Sequence, residues 1–170
     1  MNVAVLRLGH RFERDKRIST HLALVSRALG AEKIVFDAKD LRIKKSVDAI
    51  SDSWGGKFKI KFTDSWRNCI RDFKGVKVHL TMYGININDI DIAKLKAREN
   101  IMVIVGGKKV PSDVYELSDY NIAVGSQPHS EVAALSVFLD RLFEGDELEK
   151  DFEGRQRIVP QESGKKVEKV

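Results

Sequence analysis

Hydrophobic and polar positions along this chain follow two periods, which divide most of it into strands and helices. Short β-branched runs with period two predict strands, and apolar residues three or four positions apart predict helices. Strands are predicted over 2–8, 33–36, 58–62, 76–82, 101–105 and 120–124, and helices over 18–29, 44–53, 64–73, 90–96, 112–117 and 130–143. This regular exchange of strand and helix predicts an α/β fold whose parallel sheet is covered on both faces.

The loops that follow the strands are the expected ligand-binding segments, because ligands of open parallel sheets bind outside the carboxyl ends of the strands. Three such loops are 80–84, 106–110 and 125–131. In the third loop Gly125 permits a positive φ, Pro128 suits a first helical turn, and Ser130 can cap the helix. The backbone amides of this loop are therefore available to a small ligand.

Two features of these loops have plainer interpretations. The stretch from Gly106 to Pro111 lacks the spacing of a P-loop and of a dinucleotide-binding fingerprint, so a nucleotide triphosphate site is disfavoured. Taken alone, the stretch is a plain turn between a strand and a helix. His129, taken alone, is a capping or packing residue more often than a catalyst.

The chain after Gly145 differs from the rest. An acidic run over 146–153 is followed by a possible strand over 155–159 and a lysine-rich end of low hydrophobicity. These residues are too few for a second domain. We therefore expect one domain over 1–144 and a C-terminal extension over 145–170 whose end frays.

Composition limits the class of protein. The chain has 170 residues, of which 42% are hydrophobic, and a mean hydropathy of -0.29, which is typical of one soluble globular domain. Its first seven residues lack the apolar run and cleavage site of a signal peptide, and no stretch approaches roughly 18 apolar residues, so we expect a cytoplasmic protein without a membrane partner. The single cysteine, Cys69, excludes an internal disulfide and a cysteine-based zinc site. The histidines at 10, 21, 79 and 129 lack metal-ligand spacing, so no metal is expected.

Positive charge is concentrated in the first half of the chain. The net charge is +5, and residues 1–80 contain 18 Lys or Arg against 9 Asp or Glu, whereas residues 81–170 contain 12 against 16. This asymmetry favours a polyanionic partner, and the alternative is the charged surface of a thermophilic protein.

A basic cluster follows the first strand and opens the first helix. It contains Arg11, Arg14, Lys16 and Arg17, for which phosphate contact is favoured over a solvated face. His21 lies one helical turn beyond Arg17, so both side chains can meet one ribose and its phosphate.

Four blocks of the sequence match a known family in order. They are RLGHRFERDKRISTHLALVSRALGA at 7–31, VHLTMYG at 78–84, IVGGKKVPSDVYELSDYNIAVG at 104–125, and VGSQPHSEVAALSVFLDRL at 124–142. On these blocks the chain resembles the archaeal tRNA cytidine 2′-O-methyltransferases of the SPOUT class. One departure is Phe12, where the family usually has proline, and it affects the expected stiffness of that loop.

The resemblance implies a fold and a cofactor. SPOUT enzymes have a parallel sheet with a deep C-terminal trefoil knot, bind S-adenosylmethionine in the knot loops, and act as homodimers. Helix 131–143 would supply part of the dimer interface. On this sequence the cofactor-binding residues would be Leu80, Thr81, Gly106, Gly107, Lys108, Lys109, Val110, Val124, Gly125, Ser126, Gln127, Pro128, His129, Ser130 and Glu131.

The resemblance also implies 2′-O-methylation of a cytidine in the T-loop of tRNA. Arg17 would hold the phosphate and lower the pKa of the ribose hydroxyl, since an arginine is almost always protonated and is a poor base. His21 is the better titrating candidate, and Arg14 is the rival to Arg17. The alternatives are a non-catalytic RNA-binding protein of SPOUT fold and a SPOUT methyltransferase acting on another RNA.

Overall fold

The computed structural model describes residues 1–107 and 109–170, and over these ranges six strands form one sheet while two more form a separate hairpin. The strands are β1 Asn2–Leu8, β2 Lys33–Phe36, β3 Lys59–Phe62, β4 Val76–Asn86, β5 Asn100–Gly106, β6 Tyr120–Ala123, β7 Gln156–Val159 and β8 Lys166–Lys169. The helices are α1 Lys16–Ala28, α2 Leu41–Trp54, α3 Trp66–Arg71, α4 Ile92–Lys96, α5 Asp113–Leu117 and α6 Glu131–Phe143.

The main sheet is parallel throughout, in the order β3-β2-β1-β5-β4-β6. One face packs against α1, α2 and α6 through residues such as Leu22, Val47 and Phe138. The other face packs against α3 and α5 through Ile70 and Val114. The predicted α/β fold with two covered faces is therefore confirmed.

The sheet order determines which loops meet. β5 lies between β1 and β4, with Leu8 opposite Gly106 in the register of β1 and β5, while β6 lies on the far side of β4. The segments after β1, β4, β5 and β6 therefore emerge at one edge of the sheet. Helices packed on both faces of the sheet hold these four strand ends in place.

Some predicted boundaries differ from the structure. α1 begins at Lys16 rather than at Ile18, so Lys16 and Arg17 lie in the helix and not in the loop before it. β4 continues to Asn86, and its pairing with β6 shifts register between Leu80 and Ile85. None of the helices in the described ranges is both long enough and apolar enough to cross a membrane.

The C-terminal extension contains a hairpin, of which the sequence predicted the first strand, and the fraying of its end stays a prediction. β7 and β8 pair antiparallel, and Arg157 of β7 lies 3.0 Å from the carboxylate of Glu168 on β8. The linker before the hairpin is also attached to the body, because the Gly56 N–H donates to the Phe152 carbonyl at 2.8 Å. Backbone pairing therefore adds β8, which the low hydrophobicity of the end of the chain did not predict. The domain boundary at 144 stays a prediction.

Candidate active site

Three loops predicted to bind a ligand meet around one cavity of about 450 Å³ at the carboxyl edge of the sheet. The predicted residues that line it are Leu80, Thr81, Gly106, Gly107, Val110, Val124, Gln127, Pro128, His129, Ser130 and Glu131. Lys109, Gly125 and Ser126 are described but do not line it, and Lys108 lies outside the described residues. The loops meet because β5, β4 and β6 are neighbouring parallel strands.

The loop after β5 folds back over its own strand end. A Cβ atom at Gly106 would collide with the Val110 side chain, so only glycine allows this close approach. Gly107 is exposed, and among the described residues a Cβ there would meet only the guanidinium of Arg7, at 3.7 Å. The glycine pair thus forms a cavity wall made of backbone.

The loop after β6 is closed by its own side chains. Gly125 has a φ of 75°, and the Ser130 hydroxyl caps α6 by accepting from the Ala133 N–H at 3.2 Å. The two ring nitrogens of His129 lie 2.5 Å from the Val124 carbonyl oxygen and 3.1 Å from that of Ser130. His129 therefore holds the loop closed, as its packing interpretation suggested.

An ion pair joins Glu131 of the cavity wall to the buried Arg7, which was missed from the sequence. Arg7 on β1 is 1% exposed, and its Nη2 lies 2.9 Å from the Glu131 carboxylate, while Nη1 donates to the Leu8 carbonyl. A buried charge requires such partners, and removing one of them leaves the other uncompensated. The pair thus joins the central strand to the cavity wall. One feature of the sequence could have indicated this ion pair, because Arg7 is a charged residue inside an otherwise apolar strand.

A polar network lines the cavity on the β4 side and was also missed. His79 is 1% exposed, its Nδ1 lies 2.9 Å from Asn121 Oδ1, and its ring meets the Tyr115 ring edge-on at 4.7 Å. The Tyr115 hydroxyl lies 3.0 Å from that of Thr81. Burial lowers the pKa of His79, against a smaller opposing effect of the Asn121 hydrogen bond. The neutral imidazole is therefore favoured, and its Nε2 is buried without a hydrogen-bond partner among the described residues.

Residues Gly9 to Arg17, here called the arginine segment, leave β1 beside the cavity and are fixed by carboxylates. The N–H of Gly9 donates to Asp37 at 2.5 Å. Arg11 binds Asp15 through Nε at 3.0 Å and Nη2 at 2.8 Å. The Arg11 hydrogen bond lowers the pKa of Asp15 to about 2, so this carboxylate stays charged.

A second set of contacts ties the arginine segment to the start of α2. The buried His10 lies 2.9 Å from the Ser19 hydroxyl and 3.4 Å from the Asp40 carboxylate. Hydrogen bonding to Arg42 lowers the pKa of Asp40 to about 2. Arg42 also donates to the Phe12 carbonyl at 2.8 Å and stacks over the Phe12 ring at 4.0 Å. Arg42 thus supports the loop at the position where the family usually has proline.

The three predicted catalytic residues are exposed and lie outside the cavity wall. Arg17 and His21 share the exposed surface of α1, one turn apart, and Arg14 lies just before the helix. The pKa of Arg11 is raised chiefly by the Asp15 hydrogen bond, with a smaller contribution from Glu131. The arginine segment therefore lies within electrostatic reach of the cavity, although one chain does not bring its catalytic candidates into the cavity.

Comparison with known proteins decides the family. The sequence model of a family described as tRNA ribose 2'-O-methyltransferase, aTrm56, matches residues 54–168. The chain belongs to this family. The match includes all three cavity loops and most of the C-terminal extension, and the family resemblance predicted from the sequence is confirmed.

Curated relatives extend the match over the arginine segment. A tRNA (cytidine(56)-2'-O)-methyltransferase of Methanocaldococcus jannaschii is 57% identical over 172 residues, which cover 98% of this chain and 96% of the relative. The enzyme of the same name from Pyrococcus abyssi is 57% identical over 174 residues, covering 99% of this chain and 88% of the relative.

Solved structures support the fold. The A. aeolicus TrmH/SpoU tRNA modifying enzyme superposes with a TM-score of 0.58 at 14% identity, covering 88% of this chain and 80% of that one. The SpoU methyltransferase AviRb of Streptomyces viridochromogenes, in complex with the cofactor AdoMet, gives a TM-score of 0.57 at 14% identity over 84% of this chain and 59% of that one. The SPOUT-class fold is confirmed, and the trefoil knot stays a prediction.

Proposed function

We propose that this chain transfers a methyl group from S-adenosylmethionine to the ribose 2′-hydroxyl of a cytidine in tRNA, at the position numbered 56 in its relatives. The observation that carries the proposal is the meeting of three loops around one cavity in a chain of this family. A ligand site at this edge is what the topology of a parallel sheet favours.

The residues of the cavity fit the cofactor. Its volume of about 450 Å³ lies within the usual range for small-molecule sites. Its wall contains backbone around Gly106 and Gly107, the partly exposed carboxylate of Glu131, and the side chains of His79, Thr81 and Tyr115. When bound, S-adenosylmethionine supplies an electrophilic methyl group on a sulfonium. The mixture of backbone, one carboxylate and a neutral imidazole suits a ligand that carries both charges.

The chemical task of the protein is to align a weakly acidic hydroxyl with that methyl group. Positioning alone can contribute several kcal/mol to such a reaction. In the proposed mechanism Arg17 holds the phosphate next to the target ribose and favours the ionised hydroxyl. His21, one turn along α1, accepts the proton, and Arg14 is the alternative to Arg17. The exposure of all three side chains leaves them accessible to RNA.

The proposed enzyme is a homodimer. Large apolar side chains remain exposed near the cavity and on α6, namely Met82, Tyr83, Ile85 and Val137, with 79% of Tyr83 exposed. Such a surface is typical of an interface, and a self-complementary patch closes as a symmetric dimer. A second copy would also offer its exposed Arg17 to a cavity that this side chain does not line in one chain. A tRNA substrate further supports action in the cytoplasm.

The main alternative is an RNA-binding protein of the same fold without catalysis. The open cavity disfavours it, because its three loops keep room for a ligand. The second alternative, methylation of another RNA, differs only in the substrate. Both alternatives predict no methyl transfer to tRNA.

Single-turnover transfer of labelled methyl groups to an unmodified tRNA transcript tests the proposal. We expect labelling of a transcript with cytidine at position 56 and none when uridine replaces it. Calorimetry should show micromolar binding of S-adenosylmethionine, and sedimentation should give about twice the chain mass of 19.2 kDa. Cofactor binding without labelling of tRNA would contradict the proposed substrate, and absence of cofactor binding would favour the RNA-binding protein.

A further inference from the structure

A larger cavity, of about 900 Å³, opens at the other end of the strands, next to the amino ends of β2 and β3. We call it the lysine groove and define it by Lys33, Lys57, Lys59 and Lys61 on one wall and by Arg27 and Phe152 at its base. None of these residues belongs to the candidate active site. The groove lies between the body and the linker to the C-terminal hairpin, and the proposed chemistry does not use it.

The lysine wall follows an unprotected strand. β3 is the edge strand of the sheet, and alternate residues of a strand point to the same face, about 6.6 Å apart. Lys59 and Lys61 therefore form a row that Lys57 extends, and Lys33 on β2 lies opposite Lys59. Like charges in opposite positions of a sheet destabilise it. A bound anion would remove that cost.

The lysines are not neutralised by the chain itself. Within the described residues no carboxylate lies within 4.0 Å of any of these four ammonium groups. Carboxylates do line other walls of the groove, on the turn after α1, on α2 and on the linker, namely Glu32, Asp52, Asp151 and Glu153. They face seven cations, counting Arg27, Lys150 and Arg155 with the four lysines. Positive charge in the groove is therefore concentrated along the edge strand β3.

The base of the groove is firmly built. Arg27 donates to the Gly55 carbonyl at 2.6 Å and to the Ser51 hydroxyl at 3.2 Å. Its guanidinium lies 4.8 Å from the centre of the Phe152 ring, and Lys150 Nζ lies 5.6 Å from the same centre. These contacts hold the linker against α2 and keep the groove open beside the lysine row.

We infer that the lysine groove binds the phosphate backbone of the substrate RNA, away from the nucleotide that is methylated. This inference rests on the proposed function. Ammonium groups in a row bind phosphates as point charges and give salt-dependent affinity. The lysine groove and the candidate active site lie at opposite ends of the strands, and these ends are close together because the four residues of β2 span only about 13 Å. A folded tRNA is larger than this and can contact both ends.

The test compares two triple variants of equal charge. In the first, Lys57, Lys59 and Lys61 become Gln, and in the control Lys45, Lys74 and Lys94, which are also exposed and unpaired among the described residues, become Gln. For each protein the affinity for an unmodified tRNA transcript is measured against salt concentration. Methyl-transfer kinetics, S-adenosylmethionine affinity and thermal unfolding are measured beside it.

In the groove variant we expect the slope of log K against log salt to shrink by about 0.9 for each phosphate that the protein no longer neutralises, which is about eightfold in affinity per phosphate at 0.1 M salt. The KM for tRNA should rise, while turnover at saturating tRNA, cofactor affinity and unfolding stay as in the wild type. The control variant should change the slope by much less.

An equal change in both variants would overturn the inference, because it would show a general effect of net charge. Unchanged tRNA affinity in the groove variant would also overturn it, and self-association of that variant would then assign the lysines to protecting the edge strand. Failure of the proposed function is a separate result, since it requires the wild type not to methylate the transcript.

Discussion

The cavity between the three loops and the arginine segment lie side by side at the carboxyl ends of the strands but are built in different ways. The cavity is lined by backbone and by side chains such as the buried His79, and its Glu131 is held by the buried Arg7 behind the wall. The arginine segment has a fixed backbone, held by Asp15, Asp37 and Asp40, but its catalytic candidates are exposed. In the proposed function, this difference corresponds to a preformed cofactor site beside a catalytic group that acts only when RNA, or a second chain, covers it.

Replacing Arg17 gives the largest expected effect on this comparison. Arg17→Ala should lower single-turnover methyl transfer by roughly 10³-fold, because the guanidinium is expected to stabilise the transition state. Affinity for S-adenosylmethionine should be unchanged in calorimetry, since Arg17 does not line the cavity. Arg17→Lys should restore little, because lysine lacks the planar fork of donors. Near-normal rates in Arg17→Ala would move the role to Arg14.

His21 should give the next largest effect. If it is the base, the single-turnover rate rises with pH and levels off once the base has lost its proton. His21→Ala should then lower the rate by about 10²-fold and remove the inflection. The measurement is the pH profile of both proteins on one tRNA transcript. A profile of unchanged shape in His21→Ala would show that His21 is not the base.

Gly106→Val tests the cavity, which is the other region in this comparison. A side chain at this position would push Val110 and displace the backbone wall, so cofactor affinity should fall by about tenfold or more. Affinity for tRNA, which is expected to depend on the basic half, should hardly change. Calorimetry with S-adenosylmethionine and tRNA binding in parallel separate the two. Unchanged cofactor affinity would count against the assigned cavity.

The smallest expected effect is a loss of folding stability at acidic pH. The cavity and the arginine segment should lose stability in different pH ranges. His79 has a lowered pKa in the folded chain, so the unfolded chain binds more protons and stability falls as pH drops below about 6.5. Asp15 and Asp40, with pKa values of about 2, lose their contribution only as pH falls from about 3.8 toward 2.

Thermal unfolding between pH 7 and pH 5 checks this difference. The decline should be shallower in His79→Gln, which cannot take up a proton, and it should be unchanged in Asp15→Asn. A decline of equal slope in the wild type and in His79→Gln would show that burial of this imidazole is not linked to stability.

Much of this arrangement could be predicted from the order of strands and helices. The loops at 80, 106 and 125 were predicted to lie at the carboxyl ends of parallel strands, and the structure places all three around one cavity. The contribution of His79 could not be predicted, since its partner Asn121 lies on another strand and becomes a neighbour only through the order β5-β4-β6. The same holds for Arg7 and Glu131, which are far apart in sequence and meet between β1 and α6.

The C-terminal hairpin shows a second limit of the sequence pattern. The sequence predicted a strand over 155–159 but not its partner β8, because the end of the chain has few apolar residues. β7 and β8 pair through their backbone, and the Phe152 carbonyl accepts from the Gly56 N–H just after α2. Hydrogen bonds of this kind leave no period in the sequence.

That single hydrogen bond has a consequence for how the chain opens. The Gly56 amide is protected by the Phe152 carbonyl, and a Cβ atom at Gly55 would collide with the same carbonyl. The amide can exchange its hydrogen with solvent only when the linker leaves α2. Native-state hydrogen exchange should therefore report the Gly56 amide and the amides of the linker at one common rate, as a single cooperative unit that opens well before the central strands.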